Sequence, residues 1–264
     1  MSNPVRAKKA LGQHFLTDMN IARRIADTIA PAQLPEAWAQ LPVLEVGPGT
    51  GVLTTFLLED HNEVKAVELD AESVVYLAKV YPQLPVIEAD FLKLDLADMY
   101  PGEFLLIGNY PYNISSQIFF KLLDNRERIP VCSGMLQREV AQRICAGPGS
   151  KVYGILSVLL QMWYDCEYLF TVDENVFSPP PKVKSGVIRL TRNSRTDAGC
   201  DERMFKTVVK TAFGMRRKTL RNSLASLLPP DFDKTQPVMG KRPEQLGVED
   251  FIALSNQIKS VSMG

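Results

Sequence analysis

The 264-residue chain, 45% hydrophobic and 23% charged, has the length and composition of a soluble protein with one large domain and a small one. Its four cysteines (Cys132, Cys145, Cys166, Cys200) have no close spacing and it has two histidines, so neither a disulfide framework nor a metal site is expected; reduced thiols and a cytoplasmic location are. The net charge of zero argues against a nucleic-acid partner only until it is divided: residues 1–181 carry 14 Lys and Arg against 22 Asp and Glu, whereas residues 182–264 carry 16 against 8.

The N-terminus is basic at Arg6, Lys8 and Lys9, and no apolar stretch follows, so no signal peptide is expected. After Gly12-Gln13-His14-Phe15-Leu16 a helix is predicted from Asp18, with Ile21, Ile25, Ala26 and Ile29 on one face and Pro31 and Pro35 closing it. Short apolar strands follow at Val43–Val46, Val64–Leu69, Val86–Ala89 and Phe104–Ile107, separated by helices through Leu53–Leu58 and Ser73–Tyr81. Ser115 or Ser116 is placed to cap a helix bearing Ile118, Phe119, Leu122 and Leu123. A fifth strand is predicted over Val131–Gln137, a helix over Glu139–Cys145, a loop at 147–150 and a further helix over Tyr153–Met162. The apolar run Ile155–Leu160 is far too short to cross a bilayer, so no membrane contact is expected. Late strands at Tyr168–Val172 and Gly186–Leu190 flank Pro179-Pro180-Pro181. A polar linker from Arg192 to Gly199 leads to helices at Met204–Phe213, Thr219–Leu228 and Val248–Ile258. This alternation predicts an α/β fold, an open Rossmann-like parallel sheet covered on both faces in residues 1–195, with a small helical domain in residues 200–264.

The first strand runs into Gly47-Pro48-Gly49-Thr50-Gly51, a turn that lets backbone approach a ligand closely. Glu45 just before it suits an adenosyl-amino-acid cofactor whose ammonium group needs acceptors. Glu68, 17 residues beyond Gly51, can accept from both ribose hydroxyls, with Asp70 as the competing acid. Asp90 can accept from an adenine amino group with Phe91 as an apolar wall, or it can cap a turn. No phosphate-binding Gly-x-x-x-x-Gly-Lys motif is present, which speaks against an NTPase.

Asn109-Tyr110-Pro111-Tyr112 ends the fourth strand. The Asn109 amide oxygen and the Pro111 carbonyl can each accept one N–H from a planar amine, and Tyr112 can stack on its ring, a contact worth roughly 1–3 kcal/mol. With the glycine turn, this points to methyl transfer from S-adenosylmethionine to an exocyclic base nitrogen, on a single-stranded or flipped base. Phe177, before Ser178-Pro179-Pro180-Pro181, is placed either as a second stacking aromatic or as core. Lys182 and Lys184, with the stripe Lys206, Lys210, Arg216, Arg217, Lys218 and Arg221, are either phosphate contacts or an ordinary amphipathic helix face. His14 and His61 form no catalytic pair, with His14 expected in a loop near cofactor or substrate; Ser157 lies in no nucleophile elbow, so a hydrolase has little support.

Gly12–Leu16, Glu45–Gly51, Asn109–Tyr112, Val176–Val183, Phe213–Leu220 and Arg242–Leu246 occur in this order across nearly the whole chain, and the set resembles the small-subunit ribosomal RNA adenine dimethyltransferases of the bacterial kasugamycin-sensitivity type. The resemblance implies a class I S-adenosylmethionine-dependent methyltransferase fold. It implies dimethylation of N6 on two adjacent adenosines in the 3′-terminal hairpin loop of 16S rRNA, within an immature 30S subunit, and a monomeric cytoplasmic enzyme is expected. It assigns cofactor binding to Gln13 and its neighbouring loop with His14 and Leu16, and to Gly47, Gly49, Glu68 and Asp90, chemistry to Asn109, Pro111 and Tyr112, and base stacking to Phe177; the residues themselves add Glu45, Gly51, Phe91 and Asn109 to the expected cofactor contacts and Tyr112 to the expected stacking. Lys8 and Lys9 join the C-terminal bases as RNA contacts. His14 and Tyr110 stand where the family more often has Asn and Leu, departures expected to alter the entrance shape or loop order and to leave the chemistry intact. The alternatives are the related 23S rRNA adenine methyltransferases, which share the sheet and acceptor motif, and a noncatalytic ribosome-assembly or RNA-binding factor.

Overall fold

A computed structural model describes residues 5–262. Strand β1 (Phe15–Leu16) leads to α1 (Met19–Ala26), whose N-terminus is capped as expected: the Asp18 carboxylate accepts the Asn20 and Ile21 N–H groups at 2.8 and 3.1 Å. Then come β2 (Val43–Val46), α2 (Val52–Asp60), β3 (Val64–Glu68), α3 (Ala71–Val80) and β4 (Val86–Glu88). They are followed by β5 (Leu105–Asn109), α4 (Ser115–Asp124), β6 (Val131–Gln137), α5 (Arg138–Cys145), α6 (Ile155–Gln161), β7 (Tyr164–Val172), β8 (Phe177–Ser178) and β9 (Ser185–Arg192). The C-terminal part contains α7 (Glu202–Gly214), α8 (Leu220–Ser223) and α9 (Val248–Ser262).

Seven strands form one sheet in the order β4-β3-β2-β5-β6-β9-β7. The first five run parallel and β9 is antiparallel to β6, as the βα alternation followed by late strands dictates. The buried strands β2 and β5 are near-continuous apolar runs, and α1 and α2 cover them through Ile25, Leu53 and Leu57. Strand order reverses between β2 and β5, the point at which α/β sheets leave a crevice at the strands' C-terminal edge. Register brings the ends of these strands together there: Val46 pairs with both Val67 and Gly108, so Gly47, Glu68 and Asn109 emerge side by side.

Several boundaries differ from those the sequence predicts. Helix α3 starts two residues early because the Asp70 carboxylate caps it, accepting from Glu72 N–H at 3.4 Å and Ser73 Oγ at 3.0 Å. Ser115 lies inside α4 and donates to the Tyr112 carbonyl at 3.2 Å instead of capping. The helix expected over 219–228 shortens to α8, a stretch where Asn222, Ser223 and Ser226 favour local turns. The chain divides into one compact unit running to Ala141 and including Asp165–Arg192, and a second holding Gln142–Tyr164 and the chain from Asn193 onward. The expected domain boundary puts Gln142–Tyr164 in the first domain. It joins the second because α6 packs on α7 and α9, and the Tyr153 ring meets Phe213 edge-on with centroids 6.0 Å apart.

Candidate active site

The crevice at the sheet edge is a cavity lined by Gln13, His14, Leu16, Glu45, Gly47, Gly49, Glu68, Asp90, Phe91, Asn109, Pro111 and Tyr112, so the fold brings most of the sequence-derived site into one place. One wall is acidic and internally bonded. Glu45, 1% exposed on β2, accepts from the Thr54 hydroxyl of α2 at 2.6 Å. Burial pushes its pKa up to about 8, with the Thr54 bond working against that rise and the Glu68 charge adding to it. Glu68, at the end of β3, accepts the Gly49 N–H at 3.0 Å through one oxygen and the Asp70 N–H at 2.9 Å through the other. Burial raises its pKa as well.

Gly47 and Gly49 have φ of 68° and 58°, in the left-handed region where a side chain is strained. A Cβ on Gly49 would sit 2.9 Å from the Phe15 ring, and one on Gly47 would meet Pro111 at 3.9 Å. The glycine turn therefore lies directly against the acceptor motif. Asp90 closes its own turn by accepting the Leu92 N–H at 3.0 Å, and Phe91 beside it is buried.

The acceptor wall is neutral. Asn109 Nδ2 donates to the His14 carbonyl at 3.1 Å. Because a carbonyl can only accept, this bond assigns the nitrogen and leaves Oδ1 as the amide's acceptor. The Pro111 carbonyl takes one bond within the turn, from Ile114 N–H at 3.2 Å, and keeps its second lone pair. Tyr112, half-buried, is fixed by its hydroxyl against Ser185 Oγ at 2.5 Å, and burial raises its pKa. The His14 ring lies 5.5 Å from the Tyr112 ring at a 32° tilt, and its Nδ1 bonds the Pro179 carbonyl at 2.8 Å.

The family model of the ribosomal RNA adenine dimethylases matches residues 5–259. The chain belongs to this family. It is similar to the ribosomal RNA small subunit methyltransferase A of Parabacteroides distasonis, 62% identical over 254 residues that cover 95% of this chain and 93% of the relative. The protein of the same name in Bacteroides thetaiotaomicron is 59% identical over 259 residues, covering 97% of this chain and 95% of the relative. Among solved structures, the 23S rRNA methyltransferase ErmE is 27% identical with a TM-score of 0.65, covering 93% of this chain and 99% of that one. A dimethyladenosine transferase from Plasmodium falciparum, 24% identical, shares the fold at a TM-score of 0.80, covering 94% and 98%.

Within this dimethylase several expected roles need correction. Phe177 is not an exposed stacking ring: β8 pairs antiparallel with β1, setting Phe177 opposite Leu16, and its ring is 4% exposed in the core. His14 is the aromatic beside Tyr112 instead. Gly51 does not line the cavity; it precedes α2, and a Cβ there would meet the Tyr81 ring at 2.3 Å, so the glycine serves packing. Tyr110 is among the residues lining the cavity, but its ring points into the sheet. Its buried ring lies across Gly108 and Gly134, where a Cβ would approach it to 3.1 and 2.6 Å, and its hydroxyl donates to the Ser133 carbonyl at 2.7 Å. The Leu-to-Tyr departure is thus accommodated by a glycine pair in register on β5 and β6.

Of the candidate RNA contacts, Lys8 is held by an ion pair to the buried Asp70 and another to Glu72 at 3.3 Å. Burial works to raise the Asp70 pKa, but bonds from Lys8, Ser73 and Gln13 outweigh it and hold the carboxyl below its ordinary value. Asp70 is therefore a helix cap and an anchor for the N-terminal segment, whereas Glu68 lines the cavity. Gln13 is shared between this anchor and the cavity: its Oε1 accepts the Lys8 N–H at 2.8 Å and its Nε2 donates to Asp70 at 3.5 Å. Lys184 pairs with Asp173 at 3.0 Å, Arg216 donates to the Ser150 carbonyl at 3.2 Å, and Arg221 donates to the Lys234 carbonyl at 3.1 Å. Lys9, Lys182, Lys206, Lys210, Arg217 and Lys218 are exposed. Sequence reasoning missed Thr54, the partner of Glu45; the available signal was a hydroxyl on the helix that follows a buried acid and its glycine turn. Leu11 and Asn113, which also line the cavity, carry no such signal.

Proposed function

We propose that this dimethylase transfers methyl groups from S-adenosylmethionine to N6 of two adjacent adenosines in the 3′-terminal hairpin loop of 16S rRNA, within an immature small ribosomal subunit. The carrying observation is the open Asn109 amide oxygen set beside the glycine turn, in a chain 62% identical to a protein named for the small-subunit rRNA. The donor set fits the cofactor. A buried carboxyl with a pKa of about 8 is stabilised as carboxylate by a cationic group, so Glu45 suits the ammonium end. Glu68 keeps lone pairs beyond its two backbone bonds for the ribose hydroxyls, and Asp90 with Phe91 suits the adenine. When bound, S-adenosylmethionine supplies an electrophilic methyl carbon on a sulfonium sulfur.

The chain's own residues make the acceptor nitrogen reactive. An adenine amine is a poor nucleophile because its lone pair is delocalised into the ring. Accepting its two N–H groups at Asn109 Oδ1 and the Pro111 carbonyl favours a more tetrahedral nitrogen and turns its lone pair toward the donor wall. A neutral amide suits this role because it orients the nitrogen without removing its proton early. Tyr112, locked by Ser185, and His14 form the aromatic surface for a base taken out of its stack. The basic surface of the second unit, with Arg217 and Lys218 exposed on it, suits RNA phosphates.

A monomeric, cytoplasmic enzyme agrees with this reading; no helix among the described residues is long and apolar enough to cross a membrane. The test is mass spectrometry of 16S and 23S rRNA after separate immature subunits are incubated with protein and cofactor. Two adjacent dimethyladenosines in 16S rRNA are expected. Modification of 23S rRNA alone, or of neither, overturns the reading.

A further inference from the structure

We propose that Lys121 is a positioning residue for adenine recognition: from α4 it holds the turn after β4 so that Asp90 and Phe91 select a base bearing an exocyclic amine. The inference rests on the cofactor reading above and adds to it a residue that does not line the cavity. The turn is closed from within by Asp90, whose carboxylate accepts the Leu92 N–H at 3.0 Å and whose carbonyl accepts the N–H groups of Lys93 and Leu94 at 2.9 and 3.2 Å. From outside, Lys121 holds it. Lys121 Nζ donates to the Leu92 carbonyl at 3.1 Å and also to the Leu94 carbonyl, and it stands 5.6 Å from the centre of the Phe91 ring. One ammonium thus ties the stretch that follows the adenine wall to the wall itself. Its half-buried position makes these contacts specific, since a desolvated cation needs acceptors and finds backbone carbonyls and an aromatic face.

The lysine inside the turn behaves differently. Lys93 approaches Asp90 Oδ2 at 3.6 Å, but its side chain is 86% exposed, so water competes with that pair and the carboxylate oxygen stays available to a ligand. Lys121 is within reach of the Asp90 charge, but its hydrogen bonds go to the backbone that aims that carboxylate. Helix α4 also begins three residues after Tyr112, and Ser115 ties its first turn to the Tyr112 carbonyl, so Lys121 links the adenine turn to the element that follows the acceptor motif.

Calorimetry of the full chain with S-adenosylhomocysteine and with S-inosylhomocysteine, which carries a carbonyl in place of the amine, tests this directly. A hydrogen bond to a charged acceptor predicts a wild-type preference for the adenine compound of about tenfold or more. Asp90→Ala should abolish the preference, and Lys121→Met should reduce it by about fivefold or more. Lys121→Gln, whose shorter stem stops short of both carbonyls while staying polar, is the second variant should Lys121→Met not fold, and the same fall is expected. Equal weakening of both ligands by the Lys121 variants, with the ratio unchanged, overturns the proposal and leaves Lys121 a packing residue. A preference that survives Asp90→Ala, or is absent in the wild type, overturns it together with the Asp90 assignment, whereas tight binding of both ligands would still leave the cofactor site itself standing.

Discussion

The donor wall of the cavity is made of buried carboxylates bonded to their own surroundings, and the acceptor turn beside it is made of neutral, half-exposed groups. Glu45 and Glu68 are 1% and 5% exposed, with pKa values driven up by burial. Asn109, Pro111 and Tyr112 are half-buried, and the Asn109 amide oxygen and the Pro111 carbonyl each keep a lone pair for a ligand. On the proposed function, the difference follows from what each wall must do. A cationic cofactor is recognised by charge, which is strongest where water is excluded. An amine acceptor must be oriented without being deprotonated early, which needs hydrogen-bond acceptors of no charge.

If this division holds, breaking the acceptor wall should have the largest effect on rate and the smallest on cofactor binding. Asn109→Ala is expected to lower single-turnover methyl transfer by about 10²–10³-fold, the usual cost of removing one preorganised transition-state partner. Its affinity for S-adenosylhomocysteine should stay within about threefold of wild type. Near-normal turnover would remove the mechanism while leaving the family assignment intact.

Glu68→Ala breaks the other wall. It removes the acceptor of the Gly49 and Asp70 amides as well as the proposed ribose contact, so cofactor affinity should fall by roughly 10- to 100-fold in calorimetry. Asp70→Ala should disturb the N-terminal segment, which Lys8 and Gln13 tie to that carboxylate, and weaken the cofactor less than Glu68→Ala does. The reverse order would show that the wrong acid has been chosen.

Glu45 sharpens the comparison through pH. Its carboxyl titrates near 8 in the free protein, and an ammonium ligand prefers the ionised form, so affinity should rise about fivefold from pH 7 to pH 8 and then level. Glu45→Gln should flatten that profile. The sign for stability is opposite. With a folded pKa raised above 4.5, the free protein holds an extra proton between the two values, so this contribution is full below about pH 4.5 and is lost as pH rises through about 8. Glutamine mimics the protonated acid at every pH. Thermal melts of wild type and Glu45→Gln without cofactor should therefore agree most closely at the acid end and separate as wild type loses stability toward pH 8; parallel curves would refute the titration.

The smallest expected effect lies in the second unit. Changing Arg217 and Lys218 to alanine should weaken binding to the immature small subunit by about threefold near physiological salt and reduce the salt slope by roughly 0.7–0.9 for each phosphate no longer neutralised. Cofactor affinity should not move. An unchanged slope makes this surface a solvated turn between α7 and α8 and shifts docking toward Lys9 and Lys182.

Local chemistry is what made the sheet and the catalytic ends readable. Short apolar runs before Gly47, Glu68, Asp90 and Asn109 announce parallel strands, and strands of one sheet must deliver their C-terminal residues to one edge. The Asp18 cap was legible for the same reason, since it depends on neighbours two and three residues away.

What depended on partners distant in sequence was not legible. Phe177 reads equally as a stacking ring or as core until β8 pairs with β1, with Leu16 set opposite it, and turns it inward. Lys8 reads as a free base until Asp70, 62 residues away, takes it. The segment Gln142–Tyr164 lies in sequence between the sheet strands β6 and β7, yet its helix α6 packs on α7 and α9. The sequence by itself determined the α/β sheet and the residues that line its C-terminal edge, because spacing along a strand or turn encodes them, and its ordered motifs carried the resemblance to the family. Tertiary structure alone decided which aromatic flanks Tyr112, which acid Lys8 ties down and which carbonyls hold Lys121, because burial and hydrogen-bond partnership are properties of chain segments brought together only by folding.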